Sequence, residues 1–318
     1  DTENAAREAI AGDERFEIIV IDTCPEGWAG KVHAVHTALE RSPADGNDLL
    51  LFTDADCTFH PSCLRASAAL LADRGLHLLS FLNDLRASKW FELVAQPMAG
   101  FELVRQFPLM RVNRAGDRQR AFANGQFMLF DPDAYRALGG HKNTRDRLLE
   151  DIAFAEGVKQ RGMRGGVLLS GGLVRCAMYD TWEQFVRGWK RIYTEAGGRK
   201  SDRLLASAQR LLITAGVLPV LAAIGLSASV TRLDDVLGVA LLPIASLALL
   251  TYLGSLVTVY RGRALLALPT APIGAALIAR SLASAASDLR RGVPTQWGGK
   301  EYVREDRAQR ADGQERVA

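Results

Sequence analysis

The feature that most constrains this chain is how unevenly it distributes charge. Up to about Lys200, charged and apolar residues are mixed as in a globular domain. From Leu211 to Ala286, Leu, Ala, Val, Ile and Gly dominate, and after Asp288 the chain turns basic and polar. Leu211 to Val230 is a run of twenty residues without a charge, long enough to cross the roughly 30 Å hydrocarbon core of a bilayer. Val236 to Tyr260 is a second such stretch, joined to the first by the short, net acidic linker Thr231 to Asp235. The flanks are basic: Arg187, Lys190, Arg191, Arg199, Lys200 and Arg203 precede the pair, and Arg261 and Arg263 follow it. That bias predicts a multi-pass protein of the cell membrane whose N-terminal domain faces the cytoplasm. A third apolar segment, Ala264 to Ala286, carries Pro269, Pro272 and Arg280. It reads as non-spanning or kinked, because the basic tail after it favours the cytoplasm. The expected organisation is a domain over residues 1–200, a membrane region over 201–286 and a basic tail over 287–318.

Within the first region, short apolar runs alternate with helical patterns. Arg15 to Asp22, Asp48 to Thr53, Leu76 to Phe81 and Phe127 to Phe130 read as strands. Lys31 to Arg41, with Val32, Val35 and Leu39 on one face, and Pro61 to Asp73 read as helices, and Tyr135 to Gly140 closes another on a glycine pair. This alternation predicts an α/β domain with a largely parallel sheet. Lys89 to Phe107 is amphipathic and aromatic, a helix that faces the core or, in a second reading, rests on lipid.

A net charge of +3 with no basic run interleaved with aromatics argues against a nucleic-acid partner. Cys24, Cys57, Cys63 and Cys176 contain no CxxC and no Cys/His ligand spacing, which predicts reduced, partly buried thiols and argues against a zinc site.

Five segments carry possible chemistry. Asp54-Ala55-Asp56 follows the apolar run LLLFT directly. Two carboxylates at a strand's C-terminal end suit Mg²⁺ or Mn²⁺, which take oxygen ligands and leave positions for phosphate. The alternative is a solvated acidic turn. Glu150-Asp151 opens a helical stretch, as a favourable pair for the helix dipole or as a general base for a hydroxyl. Gln184, Arg187 and Trp189 lie just before the first apolar stretch. There an Arg suits a diphosphate and a Trp a sugar or lipid, unless the helix is only the aromatic, basic flank of a membrane segment. Trp28, Gly30 and Lys31 combine backbone access with a cation for phosphate, but without Walker spacing; Asn124-Gly125-Gln126 offers amides for hydroxyls.

Taken in order, PEGWAGKVHAV, LLLFTDADCTFHPSCL, ANGQFMLFDPDAYRALGGH, LLEDIAFAEGVKQRG, QFVRGW and QWGGKEY resemble segments of bacterial family 2 membrane glycosyltransferases. The likeness is to the hopene-associated and carotenoid-type enzymes related to ceramide glucosyltransferase. The resemblance runs from Pro25 to Tyr302. It implies a GT-A-like mixed α/β sheet followed by transmembrane helices, a nucleotide-diphosphate donor such as a UDP-sugar, a lipid-like acceptor and inverting, metal-dependent transfer of a hexosyl group. It makes Asp54 and Asp56 the D-x-D that holds nucleotide and metal-bound diphosphate, and Asp151 the catalytic base. Trp28, Gly30, Lys31 and Gln126 fall near the donor, and Glu150, Gln184, Arg187 and Trp189 near acceptor and diphosphate. Two departures stand out: Gly188 is inserted into Q-x-x-R-W, and the tail reads WGGKEY. The opening DTENAAREAIAG is similar to the end of the family's acidic turn after its first strand, so that strand is expected to be missing. The alternatives are a processive polysaccharide synthase and a degenerate, non-catalytic membrane relative.

Overall fold

The computed structural model describes residues 2–42, 48–114, 120–231, isolated positions between 236 and 250, and 264–308. The core of the N-terminal region is a four-stranded sheet of order β1-β5-β3-β6. It is built from β1 (Leu50–Thr53), β3 (Leu78–Leu82), β5 (Phe127–Phe130) and β6 (Gly165–Leu169). Only β3 and β6 run parallel; β5 is antiparallel to both its neighbours, so the sheet is mixed rather than largely parallel. Successive residues of β5 point to opposite faces, and this alternation divides the core. Phe127 and Leu129 join Leu79, Phe81, Val174 and Leu71 of α3 (Cys63–Asp73). Met128 and Phe130 join Tyr135 of α7 (Pro132–Ala137) and Phe154, Ala155 and Val158 of α8 (Glu150–Gln160). A smaller sheet of order β2-β7-β4 comprises β2 (Cys57–Phe59), β4 (Asp84–Leu85) and β7 (Val174–Cys176).

Arg15 to Asp22, expected as a strand, forms none, and Phe16 and Val20 are exposed. An apolar run becomes a strand only where a neighbour takes its backbone hydrogen bonds; the segment pairs with no strand of the sheet, and β1 is the sheet's edge. The single helix expected over Lys89 to Phe107 is two, α4 (Trp90–Val94) and α5 (Gln96–Gln106), with Pro97 in the first turn of α5. Phe91, Met98 and Ala99 face the core, while Trp90 and Leu93 are exposed.

A second, helical core lies beside the sheet. It joins α4 and α5 to α9 (Trp182–Ala196), α10 (Ser201–Leu211) and α12 (Ala264–Arg290). The third apolar segment of the sequence is thus one helix through Pro269 and Pro272, with Ala271, Ala275, Ile278, Ala279 and Leu282 buried against the domain. From α10 the chain continues through the π-turn Leu212–Val217 into α11 (Leu218–Val230). Among the described residues one helix is long and apolar enough to cross a membrane, Ser201–Ala228, in which an 18-residue window has a mean hydropathy of 2.2. Most of Val236 to Tyr260, the expected second span, lies outside the described residues.

Candidate active site

The site assembles at the C-terminal end of β1. Thr53 ends the strand, and its hydroxyl donates to the Gln126 carbonyl at 2.9 Å, tying it to the turn that opens β5. The next residue, Asp54, meets Lys31 of α2 (Gly30–Arg41), whose Nζ lies 2.6 Å from Asp54 Oδ1 and 2.8 Å from Glu150 Oε1. Glu150 opens α8 and is only 3% exposed. Burial works to lower the Lys31 pKa, but Glu150 and Asp54 overcome it and hold the ammonium above its ordinary value. Burial likewise favours protonation of Glu150, and Lys31 outweighs it, so this carboxylate is held low. Asp54 is shifted upward, by burial and by the like charges of Glu150 and Asp56, against the pull of Lys31.

Asp151, next on α8, is half-buried. Its Oδ2 accepts from the Gly125 N–H and its Oδ1 from the Ile152 N–H, both at 2.8 Å. Burial and the neighbouring Glu150 charge push its pKa up to about 6, against Lys31 and the two backbone donors. Its geometry is fixed by backbone while its basicity is tuned toward neutrality, the combination a general base requires.

Gly125 falls in the Asn124-Gly125-Gln126 segment, but the role the structure gives it differs from the hydroxyl recognition expected there. A Cβ there would stand 3.2 Å from Asp151 Oδ2, 3.3 Å from Lys31 Nζ and 3.4 Å from Glu150 Oε1. The turn must approach three charged groups at once, and only the N-G-Q sequence hinted at it. Gln126 is buried; its Oε1 accepts from Asn83 and Asn124, both at 3.3 Å, so the side chain braces the turn from within.

The tail closes onto the same region. β8 (Thr295–Trp297) and β9 (Lys300–Tyr302) form a hairpin that packs on the G-W-A-G-K segment. The Gly30 N–H donates to Tyr302 Oη at 3.0 Å, and Lys300 Nζ to the Cys24 carbonyl at 2.6 Å. Trp28 stacks on His36 at 4.9 Å between ring centroids. Arg191 lies over the Trp297 ring at 4.6 Å and donates to the Leu148 carbonyl at 2.8 Å, joining α9, the tail and the approach to α8.

The α9 residues do not converge on this cluster. Gln184 caps its own helix: its Oε1 accepts from the Asp180 and Thr181 N–H groups at 2.9 and 3.3 Å. Trp189, expected at the acceptor, is 3% exposed and packs between Phe185 and Tyr193 in the helical core. The cause is spacing, since residues four apart on an amphipathic helix share its buried face. The inserted Gly188 has its own explanation: a Cβ there would collide with the Tyr179 ring, which lies against the helix backbone. Arg187 is exposed and lines a cavity of about 260 Å³ with Lys190, Arg191 and Arg304.

Asp56 is exposed and lies with Cys57 and Cys176 rather than with Lys31. Asp54 and Asp56 offer hard carboxylate oxygens at a strand end, a donor set that fits Mg²⁺ or Mn²⁺ with phosphate oxygens completing the shell.

A family profile described as glycosyltransferase-like family 2 matches residues 1–191. The chain is a family 2 glycosyltransferase. The structure of S. aureus TarS 1–349 in complex with UDP-GlcNAc is similar at 12% identity and a TM-score of 0.39, covering 96% of this chain and 85% of that one. No curated protein matches this glycosyltransferase by sequence.

Proposed function

We propose that this glycosyltransferase has a GT-A-type catalytic domain and moves a hexosyl group, with inversion, from a nucleotide-diphosphate sugar, a UDP-sugar first, to a hydroxyl of a lipid-like acceptor. The observation that carries the proposal is Asp151. Its two oxygens are oriented by backbone N–H groups, and its pKa of about 6 leaves it ionised at neutral pH yet basic enough to take a proton. The acceptor hydroxyl would give its proton to Asp151 as its oxygen attacks the anomeric carbon. Lys31 compensates Asp54 and Glu150, so that Asp151 need not share its site with two uncompensated carboxylates. Asp54 and Asp56 would hold a divalent cation, which when bound neutralises charge developing on the leaving diphosphate. Trp28, Gly30 and Lys31 would lie along the donor, and Arg187 would meet the diphosphate or acceptor from the cavity on α9.

The apolar helix Ser201–Ala228, exposed at Leu212, Ile213, Leu221 and Ile224, supports attachment to a membrane and a hydrophobic acceptor delivered there. The basic residues before it support a cytoplasmic catalytic domain. The experiment is transfer of radiolabelled sugar from UDP-glucose into the organic-extractable fraction by membranes carrying the full chain, with and without Mg²⁺ or Mn²⁺. Metal-dependent label that is absent with Asp151→Asn is the expected result; undiminished label in that variant would refute the assignment.

A further inference from the structure

The second carboxylate of the D-x-D has neighbours that the hard-cation chemistry does not use. Cys57 and Cys176 are Cα partners across the antiparallel β2–β7 ladder. The Ala177 N–H donates to the Asp56 carbonyl at 3.0 Å, and the His60 N–H to the Leu173 carbonyl at 2.9 Å. Those hydrogen-bonded pairs place the two cysteines at a non-hydrogen-bonded position, where facing side chains of an antiparallel ladder approach most closely. The two Sγ atoms and a carboxylate oxygen of Asp56 all lie within 4.8 Å of one another, the one such His, Cys, Asp and Glu cluster of three among the described residues. Neither thiol is in a disulfide.

The cluster is graded in exposure, from buried Cys176 through half-buried Cys57 to exposed Asp56, so an ion would enter past the carboxylate. Cys57 Sγ also lies 4.0 Å from Asn83 Nδ2, an amide donor that supports a sulfur carrying negative charge. Two sulfurs and one oxygen are the wrong donors for Mg²⁺, which takes oxygen, and the right ones for a thiophilic ion. Three protein ligands with a fourth position open to solvent match a tetrahedral cation.

We infer that Asp56, Cys57 and Cys176 form a binding site for a thiophilic divalent cation, Zn²⁺ or its analogues, distinct from the hard-cation chemistry of the D-x-D and in competition with it for Asp56. Binding displaces the two thiol protons to solvent, and the metal gains two thiolate ligands and one carboxylate. Under the proposed glycosyl transfer, an ion here withdraws Asp56 from the diphosphate-bound cation, so zinc inhibits and Mg²⁺ or Mn²⁺ does not.

The test titrates the purified full chain with Co²⁺ under a phosphine reductant, reading the thiolate-to-metal charge-transfer absorption, and then adds Zn²⁺. The wild type is expected to gain the band and zinc to bleach it. The band should be lost in Cys57→Ser, Cys176→Ser double variant and retained in Cys24→Ser. Cys57→Ser alone, at the half-buried position, carries the test if the double variant does not fold. No band in the folded wild type, or a band that survives removal of both thiols, overturns the site. In sugar transfer, zinc is expected to inhibit the wild type and spare the double variant; a charge-transfer band without that inhibition overturns the competition at Asp56. Absence of transfer by every form would count against the proposed function, while the absorption readout still decides the metal site.

Discussion

The strand-end cluster and the α9 signature both stand out in the sequence, the first more strongly, and the fold treats them oppositely. At the end of β1, polar groups from four separate segments meet within hydrogen-bonding distance: the side chains of Lys31, Asp54 and Glu150-Asp151 and the backbone of Gly125. On α9, Gln184 serves the helix end and Trp189 the core, so that of the three signature residues Arg187 is the one that lines a cavity. A strand end in a sheet delivers polar residues to one place because the chain must leave the sheet there. A helix that borders a core assigns its residues by face first, and an aromatic at the right spacing is taken for packing. A motif on a helix therefore needs its register known before a role is assigned to each letter.

The largest effect that separates the two regions is expected at Asp151. Asp151→Asn keeps the shape and one of the two N–H contacts but removes the base and turns its amide NH2 toward the other backbone donor. It should lower kcat on the order of 10²–10⁴-fold with little change in donor KM and only a modest fall in melting temperature. If the variant instead unfolds with activity per folded molecule unchanged, Asp151 belongs with the structural residues. Trp189→Ala is expected to do the reverse, costing about 3–5 kcal/mol of stability by denaturant melting while the folded fraction keeps its turnover. Trp189→Phe should recover most of that loss, because the indole N–H is buried without a hydrogen-bond partner among the described residues. A selective fall in acceptor affinity in Trp189→Phe would return this residue to the acceptor site.

Gly125→Ala sharpens the comparison within the strand-end cluster. Its Cβ would crowd Asp151, Lys31 and Glu150 together, so kcat should drop roughly tenfold or more, measured alongside an unchanged circular dichroism spectrum. Wild-type rate in Gly125→Ala would mean that the three charged groups have slack. The smallest effect is expected at Gln184. Gln184→Ala removes a helix cap and should cost about 0.5–2 kcal/mol in thermal stability, with kcat/KM unaffected; a loss of transfer at constant stability would show that Gln184 touches substrate.

Much of the fold was legible locally. Phe127 to Phe130 was expected as a strand and is one, and Pro61 to Asp73 holds the helix Cys63–Asp73, because an apolar run bounded by turn residues carries its own signal. Arg15 to Asp22 carried the same signal and failed, since strand formation depends on a partner that local pattern does not encode. In the site, Asp54 and Asp151 were marked by their neighbours in sequence, while Lys31 bridging Asp54 and Glu150 required the tertiary structure. Gly125 stood out only through its flanking amides, because its own importance is an absent side chain. The Tyr302 hydroxyl on Gly30 and the pairing of Cys57 with Cys176 join segments far apart in the chain, and no spacing rule reaches across them. For the cysteines, the ladder supplies a proximity that sequence spacing does not encode, and the proposed thiophilic site rests on that proximity.

The central claim is that Asp151, raised to about 6 by burial and by Glu150, is the base. The pH dependence of kcat under saturating donor and acceptor tests it most directly. The ionised form is required, so the rate should hold above pH 6 and fall about tenfold per unit as pH drops below it. Residual turnover in Asp151→Asn should lack that limb. A wild-type rate that stays flat well below pH 6, or a limb that persists in Asp151→Asn, would contradict the assignment and place the proton acceptor elsewhere.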